Sequence, residues 1–314
     1  MPTVSVVIPS ARGGAFLREA VASVRAQTFS DWELVIVMDG CNEDVSDVER
    51  SEGRLRVLRQ RNRGVAIARN VGIEHADSPL IAFLDDDDRM LPGRLAAQVG
   101  QMGEEEVGLC HTQFRYIDEY GEILGSGISK ESQYIDFLRN EGEILLSTTK
   151  MRKSIIEDVG GFNPVLPLCE DLDLIYRIAR VSRLRFLPEA LTEYRRHGSN
   201  TSPTTSGEDE LKLILKEHLR AAEAHGEKEH IRAVQYRLSY IMTGGTQSAI
   251  RRAHESRVRG DRLGMIRALG VAFVLSPMLT LRVSIRQTRR DKLARRALRT
   301  AARSRTEERE ETST

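Results

Sequence analysis

Short apolar runs of strand length alternate with stretches of helical spacing over the first hundred residues. The runs are rich in β-branched residues, and several end at Pro or Asp, which is typical of buried strands. Between them, apolar residues recur every three or four positions, which indicates amphipathic helices. The pattern predicts strands at 3–10, 32–40, 54–60 and 79–85, and helices at 14–27, 64–76 and 91–102.

This alternation predicts a parallel sheet with right-handed crossover connections. Open sheets of this kind bind ligands beyond the carboxyl ends of their strands. Asp39 and Asp85 both stand at such strand ends. We therefore expect the acidic positions to converge on one edge of the sheet.

The pattern after residue 105 is less regular. It predicts strands at 107–118 and 144–153, a turn at 160–162, a helix at 170–181, and a strand, a turn and a second strand within 185–200. A Ser- and Thr-rich segment at 199–210 then interrupts the pattern, as linkers do. We expect it to separate a first domain at 1–205 from a mostly helical extension at 206–314.

The composition is that of a globular protein, with 40% hydrophobic and 30% charged residues in 314. Its cysteines, Cys41, Cys110 and Cys169, are far apart and form no C-x-x-C pair, which favours a reducing compartment. The amino terminus lacks the features of a signal peptide, and charges and a proline interrupt the apolar stretch 265–283. We therefore expect a cytoplasmic protein without a transmembrane helix.

Four adjacent aspartates, Asp85 to Asp88, follow the strand predicted at 79–85. One explanation for them is a solvated acidic loop that caps the next helix. The other is a metal site, because the first strand–helix turn, "PSARGGAF", lacks the glycine-rich patterns that bind phosphates. Mg²⁺ and Mn²⁺ prefer oxygen ligands and often bind one or two carboxylates together with substrate phosphates. A carboxylate-bound cation would therefore replace the missing phosphate loop.

Several motifs, in this order along residues 3–202, resemble those of family 2 glycosyltransferases with a GT-A fold. They are "VSVVIPS", "FLREAVASVRAQTFSDWELVIVMDG", "NRGVAIARNVGIEHA", "FLDDDDRMLP", "GGF", "CEDLDLIYRIAR" and "YRRHGSNTS". The resemblance implies an α/β fold of the GT-A type. Such a fold has a Rossmann-like, mostly parallel sheet flanked by helices, here followed by the helical extension.

The resemblance also implies a donor-binding set of residues. Asp39 would contact the nucleotide base, with Pro9 and Ser10 lining the same pocket. Met38 stands where the family has the first of two acids, so only Asp39 is carried over. The other implied donor-binding residues are Arg69, Asn70, Asp85 and Asp86, with Asp85 facing the ribose or the metal.

Metal-binding and catalytic positions follow from the same resemblance. Asp87 would ligate Mn²⁺ or Mg²⁺, and His197 would complete the metal shell. Asp171 occupies the position of the catalytic base, and Asp88 and Glu170 would support the site. These positions also have purely structural explanations, such as helix-terminal charges that interact with the helix dipole in the case of Glu170 and Asp171.

The implied function is inverting transfer of a sugar from a nucleotide-sugar donor, with UDP favoured, to a glycan or lipid-linked acceptor hydroxyl in polysaccharide, cell-wall or glycolipid assembly. Two alternatives stay open. A sugar-1-phosphate nucleotidyltransferase would need a glycine-rich loop with Arg and Lys, whereas residues 9–16 contain one Arg and no Lys. A non-catalytic protein that keeps the fold would be expected to lose Asp85, Asp87 and Asp171.

The segment 282–305 is strongly basic, with ten Lys and Arg residues against one Asp, although the whole chain has a net charge of only +1. Its Ala, Leu and Arg content favours a helix. Anionic lipid surfaces attract such segments, so we expect peripheral contact with the inner face of a membrane. A solvated helix is the alternative. Nucleic acid is not an expected partner, because the segment has no aromatic residue to stack on bases.

Overall fold

The computed structural model describes residues 1–49, 53–198 and 207–242, together with six single positions between 253 and 266. Contacts between Cα atoms divide the chain into two units, Met1–Val234 and Gln235–Thr314. The predicted active-site residues all belong to the first unit.

Four parallel strands form the first half of the sheet. They are β1 (Val4–Ser10), β2 (Trp32–Asp39), β3 (Leu55–Gln60) and β4 (Leu80–Phe83). Their order is β3-β2-β1-β4, and the connections contain helices α1 (Gly14–Arg25), α2 (Ser46–Glu49) and α3 (Val65–Glu74). Every residue of β1, β2 and β4 is buried, as expected for strands covered on both faces. The predicted alternation is confirmed here.

The second half of the sheet is mixed. It contains β5 (Arg89–Met90), β6 (Val107–Ile117), β7 (Ile123–Ser126), β8 (Thr149–Arg152) and β9 (Arg183–Arg195). β8 is antiparallel to both β4 and β6 and so joins the two halves. β9 runs parallel to β6, and β5 is antiparallel to β9. The pairing of β5 with β9 places the residues that follow the aspartate run beside the end of β9.

Helices cover both faces of the sheet. Those of the second half are α4 (Arg94–Gln101), α5 (Tyr134–Leu138), α6 (Lys153–Asp158) and α7 (Glu170–Val181). Leu17 and Val21 of α1 belong to one core cluster with β1, β2 and β4, and Ala68 of α3 packs against β2 in another. A Cβ at Gly72 would lie 2.4 Å from Val7 Cγ1, so only glycine allows α3 to approach β1 this closely.

Two predicted strands differ from the observed ones. Residues 183–195 form one strand rather than a strand, a turn and a strand. Its partner register jumps from Leu187, opposite Thr112, to Ala190, opposite Gln113. A bulge therefore accommodates Pro188, which has no N–H to donate, without ending the strand. The strand predicted at 144–153 begins only at Thr149, because a 3₁₀ turn occupies Leu146–Thr148.

The described part of the extension is helical, as predicted, with α8 (Glu208–Ala224) and α9 (Lys228–Met242). The predicted boundary at 205/206 and the basic segment 282–305 lie outside the described residues, so both stay predictions. Among the described residues, no helix is both long enough and apolar enough to cross a membrane.

Candidate active site

A cavity of about 540 Å³ opens at the carboxyl ends of β1, β2 and β4, where the sequence predicts the site. Most of the predicted site residues line it, namely Pro9, Ser10, Asp39, Arg69, Asp85, Asp86, Asp87, Glu170 and Asp171. His197 lines an adjoining cavity of about 330 Å³ that shares Arg12, Asp86 and Asp87 with the first. Asn70 and Asp88 line neither cavity.

Asp39 ends β2 and anchors the loop before α3. Its Oδ1 accepts hydrogen bonds from Gln60 Nε2 and from the backbone N–H of Arg63, both at 2.8 Å. Its Oδ2 accepts one from the N–H of Gly64 at 2.9 Å. The carboxylate therefore has a structural role as well as a position in the cavity wall.

Ser10 and Asp86 join the first strand to the aspartate run. Ser10 Oγ donates to Asp86 Oδ2 at 2.5 Å and accepts the backbone N–H of Gly13 at 3.0 Å. Burial, with the Asp87 and Asp85 carboxylates adding to it, raises the pKa of Asp86 to about 6, although the Ser10 hydrogen bond lowers it. The Ser10 hydroxyl thus fixes the Asp86 carboxylate against the end of β1.

Arg69 bridges the aspartate run and helix α7. Its side chain is only 6% exposed, and it donates to Asp85 Oδ1 at 2.7 Å and to Glu170 Oε1 at 2.6 Å. Burial lowers the pKa of Arg69, but the carboxylates of Asp85, Glu170 and Asp171 together raise it above its ordinary value. Its Nε has no hydrogen-bond partner among the described residues. Arg69 therefore fixes the distance between two acidic segments of the cavity.

Glu170 and Asp171 begin helix α7, and the Arg69 guanidinium acts on the charge of both. Burial raises the pKa of Glu170 to about 7, with Arg69 lowering it and Asp171 raising it further. Burial also raises the pKa of Asp171, against the lowering effect of Arg69. Asp171 Oδ1 accepts the N–H of Leu172 at 2.7 Å. A carboxylate whose pKa is raised, at the edge of a cavity, is suited to accept a proton.

Asp87 and His197 are the predicted metal ligands, and the structure brings them together. His197 Nε2 lies 3.0 Å from Asp87 Oδ2, and the His197 ring lies 5.1 Å from that of Phe16. Burial and the Asp85 carboxylate raise the pKa of Asp87, while His197 lowers it. Among the described residues, no group of three or more His, Cys, Asp or Glu side chains is arranged to hold a metal ion. The pair offers one carboxylate oxygen and one imidazole nitrogen beside the carboxylates of Asp85 and Asp86. This set fits a cation that takes its other ligands from a substrate.

Asp88 belongs to the aspartate run but does not line the cavity, because its side chain is fully buried. Its Oδ1 accepts the backbone N–H of Arg195 at 2.9 Å. Burial raises the pKa of Asp88 well above its ordinary value. Asp88 therefore supports the aspartate run from behind rather than from within the cavity.

Asn70 lies next to Arg69 but contacts the "GGF" turn. Its Nδ2 donates to Phe162 O, and its Oδ1 accepts the N–H of Phe162, both at 2.8 Å. Gly161 has a φ of +69°, and a Cβ there would lie 2.8 Å from Asn70 Oδ1. Asn70 thus holds the turn, and its predicted contact with the donor stays a prediction.

Sequence reasoning missed several cavity residues. Ser147 Oγ accepts the backbone N–H of Asp85 at 3.0 Å and so helps to orient the run. Leu145, Leu168 and Tyr194 also line the cavity. Ser147 and Leu145 lie in a segment that reads as part of a strand, and no motif distinguishes them. The structure alone identifies them.

Residues 5–160 match the sequence model of the family described as Glycosyl transferase family 2. The chain belongs to glycosyltransferase family 2. The matched region contains Asp39, Arg69 and the aspartate run, whereas Asp171 and His197 lie beyond it.

Individual relatives agree with this family membership. An uncharacterized glycosyltransferase of Rickettsia felis is 28% identical over 68% of this chain, and the aligned part is 37% of that protein. The putative teichuronic acid biosynthesis glycosyltransferase TuaG of Bacillus subtilis is 31% identical over 44% of this chain and 58% of that protein. The chain thus spans little more than a third of the first relative and over half of the second.

The fold is shared with solved structures. S. aureus TarS 1-349 in complex with UDP-GlcNAc superposes with a TM-score of 0.63, at 17% identity, over 88% of this chain and 82% of that chain. At this identity the likeness concerns the fold, and it confirms the predicted GT-A architecture of this family 2 chain.

Proposed function

We propose that the protein transfers a sugar from a nucleotide-sugar donor to an acceptor hydroxyl, with inversion at the anomeric carbon. The observation that carries the proposal is the meeting of Asp39, the aspartate run and Asp171 in one cavity. Arg69 joins the run to the start of α7, because it contacts both Asp85 and Glu170, the neighbour of Asp171. These are the positions at which the family resemblance implies the base contact, the metal-binding motif and the catalytic base.

Asp171 acts as the general base in this proposal. The acceptor oxygen attacks the anomeric carbon and loses its proton to Asp171, while the bond from that carbon to the diphosphate oxygen breaks. The raised pKa of Asp171 makes it a better proton acceptor than an ordinary exposed aspartate. A positioned base of this kind contributes about 10²- to 10⁴-fold to the rate.

Asp87 and His197 would hold Mn²⁺ or Mg²⁺. When bound, the cation supplies Lewis acidity that stabilises the charge on the departing diphosphate. The chain's own contribution is to keep Asp87 Oδ2 and His197 Nε2 3.0 Å apart at the cavity edge. Asp85 and Asp86 lie beside them and face the donor, and Arg69 orients Asp85.

UDP is the favoured nucleotide, and the solved TarS complex with UDP-GlcNAc supports this choice. A glycan or lipid-linked acceptor in cell-wall or polysaccharide assembly is the favoured acceptor class. The name of the related Bacillus subtilis protein supports that choice. The basic segment 282–305 would bring the protein to anionic membrane, where a lipid-linked acceptor is found.

Donor hydrolysis tests the proposal without knowledge of the acceptor. The full chain is incubated with a panel of UDP-, dTDP- and GDP-sugars and Mn²⁺, and the released nucleoside diphosphate is measured. We expect slow release from one donor class that stops in EDTA and returns with added Mn²⁺. Release unaffected by EDTA would contradict metal dependence, and absence of release from every donor would contradict the reaction. Pyrophosphate formed from a nucleoside triphosphate and a sugar 1-phosphate would instead favour a nucleotidyltransferase.

A further inference from the structure

Arg195, at the end of β9, is a fully buried cation with an exposed fraction of 0%. Burying a guanidinium is costly unless its N–H groups are hydrogen-bonded. Its Nε donates to the carbonyl oxygen of Asp87 at 2.8 Å. Its Nη1 donates to the carbonyls of Asp118 and Glu119 at 3.2 and 3.1 Å, and its Nη2 donates to Glu19 Oε2 at 2.5 Å.

These contacts join two separate segments to the aspartate run. Glu19 belongs to α1, and Asp118 and Glu119 form the turn between β6 and β7. The backbone N–H of Arg195 also donates to Asp88 Oδ1 at 2.9 Å. One residue thus holds the main chain of Asp87 and the side chain of Asp88 at the same time.

Arg195 is connected to His197 as well. The two residues are separated by only Arg196 in the chain, and both contact the ring of Phe16. The guanidinium carbon of Arg195 lies 4.4 Å from the centre of that ring, and the His197 ring lies 5.1 Å from it. Both proposed metal ligands, Asp87 and His197, are therefore fixed relative to Arg195.

We propose that Arg195 is a positioning residue that sets the separation of Asp87 and His197 for cation binding. The inference rests on the proposed function, because it concerns the same metal site. Fold stability alone explains Arg195 poorly, because apolar residues of similar volume often stabilise a protein as well as a buried ion pair does. The guanidinium of Arg195 is a rigid fork of N–H donors. It bonds the Asp87 carbonyl while it is anchored to α1 and to the β6–β7 turn, and this arrangement suits a residue that positions a loop.

The test measures Mn²⁺ affinity directly. Mn²⁺ is titrated into the full chain at a fixed excess of UDP, free Mn²⁺ is followed by electron paramagnetic resonance, and UDP alone supplies the baseline. Substitutions of residues that orient metal ligands typically weaken metal binding about 10- to 100-fold. We expect a loss of that size in Arg195→Met and Arg195→Lys, and a smaller loss in Glu19→Gln.

The neighbouring arginine provides a matched control. Arg196 is exposed and stacks on the ring of Tyr116 at 3.7 Å, so Arg196→Met should keep wild-type Mn²⁺ affinity. In donor hydrolysis, Arg195→Lys should need about 10-fold more Mn²⁺ for half-maximal rate but recover most of its turnover at saturating Mn²⁺. A purely structural role would leave that Mn²⁺ requirement unchanged.

Each outcome supports or overturns the positioning role of Arg195. Wild-type Mn²⁺ affinity in folded Arg195→Lys and Glu19→Gln would overturn the positioning role and leave the proposed function intact. If Arg195→Met fails to fold, these two variants still give the answer. If the wild-type chain retains no Mn²⁺ yet releases UDP from a donor, metal dependence fails, and the positioning role fails with it.

Discussion

At the scale of single residues, the charge balance around Arg69 controls the site. One buried guanidinium contacts Asp85 and Glu170 and lies close to Asp171. Burial raises the pKa values of Glu170 and Asp171, the neighbouring carboxylates add to the rise, and Arg69 opposes it. Because burial disfavours these carboxylates as uncompensated charges, a cationic ligand nearby is favourable as well. Proton acceptance and cation binding thus have one physical origin.

Replacement of the proposed base should separate binding from chemistry. Asp171→Asn removes the proton acceptor but keeps the size of the side chain, so turnover should fall by about 10² or more. Donor affinity, measured by calorimetry with UDP and Mn²⁺, should change little. Glu170→Gln is the control at the adjacent position and should retain most of the turnover. Wild-type turnover in Asp171→Asn would show that another group accepts the proton.

The raised pKa of Glu170 predicts a pH dependence of stability. Its pKa is about 7 in the folded protein against an ordinary 4.5, so the unfolded chain loses this proton first. The stabilisation from protonated Glu170 is complete below pH 4.5 and is lost as pH rises through 7.

The substitution Glu170→Gln isolates this group from other titrating residues such as Asp171. Relative to this variant, the wild type should lose up to about 3 kcal/mol of unfolding free energy between pH 4.5 and 8. Urea denaturation of both proteins across that range measures the difference. A difference that does not vary with pH would mean that Glu170 titrates normally.

At the scale of elements, helix α8 supports the helix that carries the base. Glu210, in the first turn of α8, accepts the backbone N–H groups of Leu168 and Cys169 through its Oε2, at 3.0 and 2.9 Å. These residues directly precede α7, so the Glu210 carboxylate acts as a cap supplied by a distant part of the chain. Leu168 also lines the cavity. The beginning of the helical extension therefore contributes to the site.

Removal of this cap should lower both stability and turnover. Glu210→Ala leaves two backbone N–H groups without their acceptor, and lost caps cost about 1 kcal/mol. Because α7 begins with Glu170 and Asp171, turnover should fall more than UDP affinity does. Glu217→Ala, at an exposed position of α8, is the matched control. Equal effects of both substitutions, in urea denaturation and donor hydrolysis, would exclude the cap.

At the scale of the whole molecule, the charges are unevenly distributed along the chain. The basic segment 282–305 predicts reversible binding to anionic membranes, at about 1 kcal/mol per engaged basic residue. The full chain should co-sediment with vesicles containing phosphatidylserine but not with purely zwitterionic vesicles. A chain ending at residue 281 should lose this binding. Binding that ignores lipid charge, or that persists without the segment, would remove this segment from the proposed function.

Most of the parallel half of the fold could be predicted, because strand–helix alternation is a local property of the sequence. The mixed half could be predicted less well, since its features depend on pairing. The two-residue strand β5 exists only through its pairing with β9, and the bulge at Pro188 keeps a single strand where local signals indicate a turn. Neither follows from a short window of residues.

Some cavity residues stand at the ends of strands, as Asp39 and Asp85 do. For these, the sequence by itself determined that they reach the cavity. Only the tertiary structure decided what the neighbouring residues do. Asp87 faces the cavity while Asp88 turns inward to Arg195, 107 positions further along the chain. The physical reason is that consecutive side chains in a loop point in different directions. Only partners brought together by folding decide which of them are buried and bonded.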